Sequence, residues 1–96
     1  MTNYEIMFIV NPNLEEDSIK NVVESLKKVL TDNKAEITEV KEMGRRELAY
    51  EINKFKAGFY YLFYTKASAS AIKEFDHSAS MNEDIIRHLI INLDKE

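Results

Sequence analysis

Residues 56–64 read KAGFYYLFY, and from Phe59 to Tyr64 every residue is aromatic except Leu62. Side chains of a β-strand alternate between two faces. A strand through this stretch is therefore apolar on both. One row, Phe59 and Tyr61 or else Tyr60 and Leu62, can pack on the domain's own core. The other row needs a different neighbour.

Upstream, NKFKAG (53–58) reads as the turn into that strand. Before it, LAYEI (48–52) alternates with Leu48, Tyr50 and Ile52 on one row. AEITEVKEM (35–43) also alternates, with Ile37, Val40 and Met43 as its apolar members and one break in register. GRRE (44–47) lies between. Residues 35–52 form either one long strand kinked at Gly44 or a strand followed by a hairpin arm.

YEIMFIV (4–10) is short, β-branched and aromatic, so it reads as a first strand that stops at the turn signal NPN. Asn13 is the expected N-cap, with Glu16 three residues on as its capping-box partner. Ile19, Val22, Val23, Leu26, Val29 and Leu30 then recur at spacings of three and four, the stripe of an amphipathic helix that ends near TDNK (31–34). Downstream, Ala71, Ile72 and Phe75 have helical spacing, with Ser68 or Ser70 as cap. DIIRHLIINL (84–93) reads as the last strand.

The order is β-α-β-β-α-β in one domain, residues 1–96. Two crossover helices on one face of a four-stranded antiparallel sheet make a ferredoxin-like α+β sandwich. The helices cover one sheet face and leave the other open, with an apolar row on it.

Composition narrows the function classes. Hydrophobic residues make up 45% and charged residues 31% of 96, a globular profile with a modest core. There is no cysteine, which removes thiolate metal and redox sites and suits a reducing cytosol. No apolar run approaches the roughly 18 residues of a membrane span, and MTNYEIMFIV lacks the basic start and cleavage site of a signal peptide. The net charge is −4, unlike a generic nucleic-acid binder. Yet residues 41–56 carry five basic residues (Lys41, Arg45, Arg46, Lys54, Lys56) against three acidic ones. Local potential rather than net charge steers a polyanion.

Nothing points to catalysis. His88 lies in an apolar strand and reads as a structural histidine; His77 reads as solvated. Two glycines cannot build a phosphate-cradling loop. No cofactor or metal is expected. RNA-recognition-motif domains share the element order, and Gly58, Phe59, Tyr61 and Leu62 follow the order of their base-stacking strand. An independent single-stranded-RNA binder is thus the alternative reading. Against it, Ala57 and Tyr60 depart from that pattern. Phe8 also belongs to the uniformly apolar row Tyr4, Ile6, Phe8, Val10, which should face the helices. In the last strand Arg87 shares a row with Leu89 and Ile91. An unpaired buried arginine is costly, so that row should face outward.

GRRELAYEIN (44–53) resembles the signature of the bacterial small-subunit (30S) ribosomal protein S-six (S6) family. YEIMFIVNPNL, KFKAGFYYLFY and NEDIIRHLI are similar to that family's first, third and last strands, in order along the whole chain. The resemblance implies a non-enzymatic, ribosome-bound cytoplasmic protein. It would bind small-subunit ribosomal RNA in the platform region together with small-subunit ribosomal protein S-eighteen (S18). Arg45, Arg46 and Arg87 match the family's basic positions and, with Lys54 and Lys56, are the expected RNA contacts. Phe59, Tyr61, Leu89 and Ile91 are the expected partner contacts. Thr2 and Asn3 stand where many family chains carry basic residues. Fewer cations mean weaker binding to RNA alone, consistent with reliance on a basic partner.

Overall fold

The computed structural model describes residues 1–52 and 54–94. Its elements are β1 (Thr2–Val10), α1 (Glu16–Asp32), β2 (Glu36–Ile52), β3 (Phe55–Ala67), α2 (Ala69–Met81) and β4 (Ile85–Asn92). The strands form one sheet in the order β2-β3-β1-β4, with every neighbouring pair antiparallel. This is the expected ferredoxin-like sandwich.

The α1 stripe buries Ile19, Val22, Val23, Leu26 and Leu30. Its start differs from the sequence expectation. Asn13 is not the cap: Glu15 holds that position with no side-chain cap hydrogen bond. The Asn11 side chain instead accepts the Asn13 backbone N–H at 2.8 Å. An Asx turn thus captures the chain before the helix begins. The helix ends in a Schellman motif. Lys34 takes φ 64°, its N–H reaches Thr31 O at 3.0 Å, and the Ala35 N–H reaches Leu30 O at 2.9 Å. In α2, Ser68 is the cap, and its hydroxyl accepts the Ala71 N–H at 3.2 Å. Ala71, Phe75 and Ala79 are its buried face.

Both helices pack on the row Ile6, Phe8, Val10 of β1 and on Phe63 of β3, all fully buried. Phe63 meets Phe8 edge-on, ring centroids 5.1 Å apart. Thr65 is the buried polar residue of this core, and its hydroxyl donates to Glu36 O at 2.7 Å.

Residues 36–52 are one strand, kinked where expected: Gly44 has φ +77° and a register shift separates Glu42 from Gly44. The turn after it is tighter than NKFKAG suggested. Ile52 pairs with Phe55 and Lys54 takes φ 69°; Asn53 lies outside the described residues. Residues 55–58 belong to the strand instead of the turn, because Ala57 and Gly58 pair with Glu47 and Arg46 and are buried.

Candidate functional site

Directly opposed residues of an antiparallel ladder share a sheet face, so the register sorts every strand residue. On the helix side the transverse rows, ordered β2, β3, β1, β4, are Val40-Phe63-Ile6-Ile90, Glu42-Tyr61-Phe8-His88 and Arg45-Phe59-Val10-Ile85. On the open side they are Glu39-Tyr64-Glu5-Ile91, Lys41-Leu62-Met7-Leu89 and Gly44-Tyr60-Ile9-Arg87, with Arg46 opposite Gly58 beyond the last.

This answers the question posed by the aromatic strand and corrects one expectation. Leu89 and Ile91 do lie on the open face, 45% and 41% exposed. Phe59 and Tyr61 do not: they pack partly buried against the helix-side core, beside Leu14 and Ile19. The outward aromatic row is Tyr60, Leu62 and Tyr64. A sequence signal for this existed. Lys66 shares that row, and a lysine belongs on the solvated face, just as Arg87 does in β4. The same finding weakens the RNA-recognition-motif alternative, whose stacking residues Phe59 and Tyr61 point to the helices, as does Phe8.

The open face has three zones. At one end Glu5 and Glu39 flank Tyr64. A hydrogen bond from the phenol to Glu5, with burial and the two carboxylates behind it, raises the Tyr64 pKa above its ordinary value. Lys41 lies 3.6 Å from Glu39 and over the Tyr64 ring. The middle is apolar: Leu62, Met7 and Leu89. At the far end stand Arg46 and Arg87.

That end is partly roofed by β2 itself. Glu47 pairs with Ala57 and Ile52 with Phe55, so Leu48, Ala49, Tyr50 and Glu51 stand opposite the single residue Lys56. The surplus of three residues forms a large, special bulge. Leu48, Ala49, Tyr50 and Ile52 thereby line a groove with Met7, Ile9, Tyr60, Leu89 and Arg87. The expected alternation of 48–52 gave no hint of this, because a bulge is a relation between two paired strands and leaves no mark in either stretch of sequence alone.

The five expected RNA contacts are brought to one end of the domain. Arg46 and Arg87 share the open face. Lys54 caps the hairpin, and Arg45 and Lys56 line a neighbouring groove with Glu47, Tyr50 and Glu51. His88 is turned the other way, its Nε2 2.7 Å from Asp76 Oδ1 of α2, the structural role expected of it. His77 is exposed. Among the described residues no cluster of histidine and carboxylate groups is arranged to hold a metal ion, and no helix is long and apolar enough to cross a membrane.

A one-sided sheet with an apolar centre and arginines at its margin defines a small macromolecule-binding domain. Residues 3–92 match the family model for ribosomal protein S6. The fold is also that of the crystal structure of 30S ribosomal protein S6 from Thermotoga maritima. The TM-score is 0.91 at 35% sequence identity, covering 95% of this chain and 86% of that one. The chain belongs to the ribosomal protein S6 family, whose members are structural, non-enzymatic proteins of the small ribosomal subunit.

Proposed function

We propose that this protein binds small-subunit ribosomal RNA in the platform region jointly with ribosomal protein S18, on cytoplasmic ribosomes. The observation that carries this is the division of the open face. An apolar strip of Leu62, Met7, Leu89 and Ile91 adjoins a margin with Arg46 and Arg87. The strip suits a protein partner, and the arginines suit phosphate, which their planar fork can bind through two parallel hydrogen bonds. With a net charge of −4, the chain alone offers RNA a small cationic patch on an acidic body, and a basic partner supplies what is missing.

The RNA half of the reading is tested with the complex of this chain and S18 on a platform fragment. Arg46→Ala and Arg87→Ala should each weaken binding and make it less steeply salt-dependent, by roughly 0.7 to 0.9 in the log–log slope for each phosphate no longer neutralised. Unchanged affinity and slope in both variants would remove these arginines from the RNA interface.

A further inference from the structure

Tyr50 lies on β2 and Arg87 on β4, the two edge strands of the sheet. In a flat sheet they would be three strand spacings apart, about 14 Å. The bulge at residues 48–51 closes that gap: Arg87 Nη1 donates to the Tyr50 hydroxyl at 3.2 Å. Leu48, Ala49 and Ile52 line the groove floored by Ile9, Tyr60 and Leu89 and so fix the bulge in place. Both partners of the hydrogen bond are surface groups, Tyr50 being 65% exposed. A hydrogen bond between such groups adds little to folding stability. Its consequence is orientation of an arginine that would otherwise sample many rotamers.

The chemistry of the pair is specific. A guanidinium has five N–H donors and no acceptor. One is used on Tyr50, and among the described residues no other side chain takes up the rest of the fork. The Tyr50 oxygen accepts from Arg87, so its own O–H remains free to donate. A positively charged fork and a neutral hydroxyl then present several donors at one spot, next to an apolar groove.

We propose that Tyr50 and Arg87 form a composite clamp for one backbone phosphate of RNA, in which Tyr50 positions the guanidinium and adds a donor of its own. Tyr50 is thus both a positioning residue for Arg87 and a contact of its own in RNA binding. This rests on the RNA-binding role proposed for Arg87. It adds a second residue and a reason for the surplus residues of the bulge.

The test is a double-mutant cycle on the complex of this chain and S18, binding a platform fragment of small-subunit ribosomal RNA at two salt concentrations. Tyr50→Phe keeps the ring and removes the hydroxyl. It should weaken RNA binding roughly three- to tenfold, the range of one hydrogen bond. The melting temperature and the affinity for S18 without RNA should not change. In an Arg87→Ala background Tyr50→Phe should have much less effect, because coupled groups are not additive. Arg87→Lys should fall between wild type and Arg87→Ala, since a lysine cannot keep the fork.

The failures are distinguishable. If Arg87→Ala binds RNA as wild type does, the reading of Arg87 falls and the clamp with it. If Arg87→Ala weakens binding but Tyr50→Phe does not, the clamp alone is overturned. The clamp is also overturned if Tyr50→Phe costs as much without Arg87 as with it, or if the loss appears in S18 affinity instead.

Discussion

Tyr61 stacks on Phe8, ring centroids 5.4 Å apart and planes 15° from parallel. Phe8 is fully buried under the helices, so this stacking fixes one row of the aromatic strand to the core. Tyr60, Leu62 and Tyr64 are left as the outward row. Burial, with the nearby Glu42 carboxylate, holds the Tyr61 phenol above its ordinary pKa.

The two rows should therefore fail differently when cut back. Tyr61→Ala should lower stability by about 1–3 kcal/mol, less than the loss of a fully buried aromatic, and leave S18 binding intact in the folded protein. Leu89→Asp with Ile91→Asp, on the edge strand and 45% and 41% exposed, should cost less stability in urea than Tyr61→Ala and weaken S18 association at least tenfold. The reverse pattern would mean that the faces are assigned the wrong way round.

Gly58 sits on the open face where a Cβ would run into Cγ2 of Ile9 and lie 3.3 Å from Val10 O. The Ile9 methyl is the clash, and the close Val10 oxygen leaves the added Cβ little room to shift away from it. Gly58→Ala should cost about 1–3 kcal/mol by overpacking. Adding Ile9→Ala should give a double variant less destabilised than the sum of the two single losses, because the clashing methyl is gone. Full additivity in chemical denaturation would show that Ile9 is not the cause.

The ends of β1 and β4 are clipped together. Asp94 accepts the Asn3 backbone N–H at 2.8 Å and the Asn3 side-chain amide at 3.1 Å. These bonds favour the ionised carboxylate, so its pKa lies below the ordinary 3.8. A depressed carboxyl pKa stabilises the fold above the unfolded-state value. That stabilisation is lost as pH falls through the folded-state value. Asn3→Ala removes the side-chain bonds and keeps the backbone one. NMR titration should find the Asp94 pKa raised toward 3.8 in that variant, with the acid limb of the stability profile shifted the same way. An unmoved Asp94 titration would contradict this.

Much of the fold is legible in the sequence because two periodicities carry it. The Ile19–Leu30 stripe has a period near 3.6, and the Tyr4–Val10 row alternates. The kink at Gly44 is legible because few residues other than glycine take a positive φ readily. What escaped depends on pairing or on local competition. The start of α1 turns on Asn11 capturing the Asn13 N–H, a contest between two asparagines that spacing does not decide. The bulge at 48–51 is a relation between β2 and β3, invisible in either strand alone. The face of the aromatic strand is ambiguous because both rows are apolar there; Lys66, at the strand's end, is the discriminating residue. The candidate site is legible as a list of arginines, and its second half, the Tyr60-Leu62 row and Tyr50, is not.

The most direct measurement is retention of a small-subunit platform RNA fragment on a filter by this protein, at low and moderate salt, with and without S18. Retention at moderate salt is expected only when S18 is present, and is expected to be lost with Leu89→Asp and Ile91→Asp together. Equal retention by this protein alone, together with binding of short unstructured RNA, would contradict this and make the open face an RNA platform in its own right.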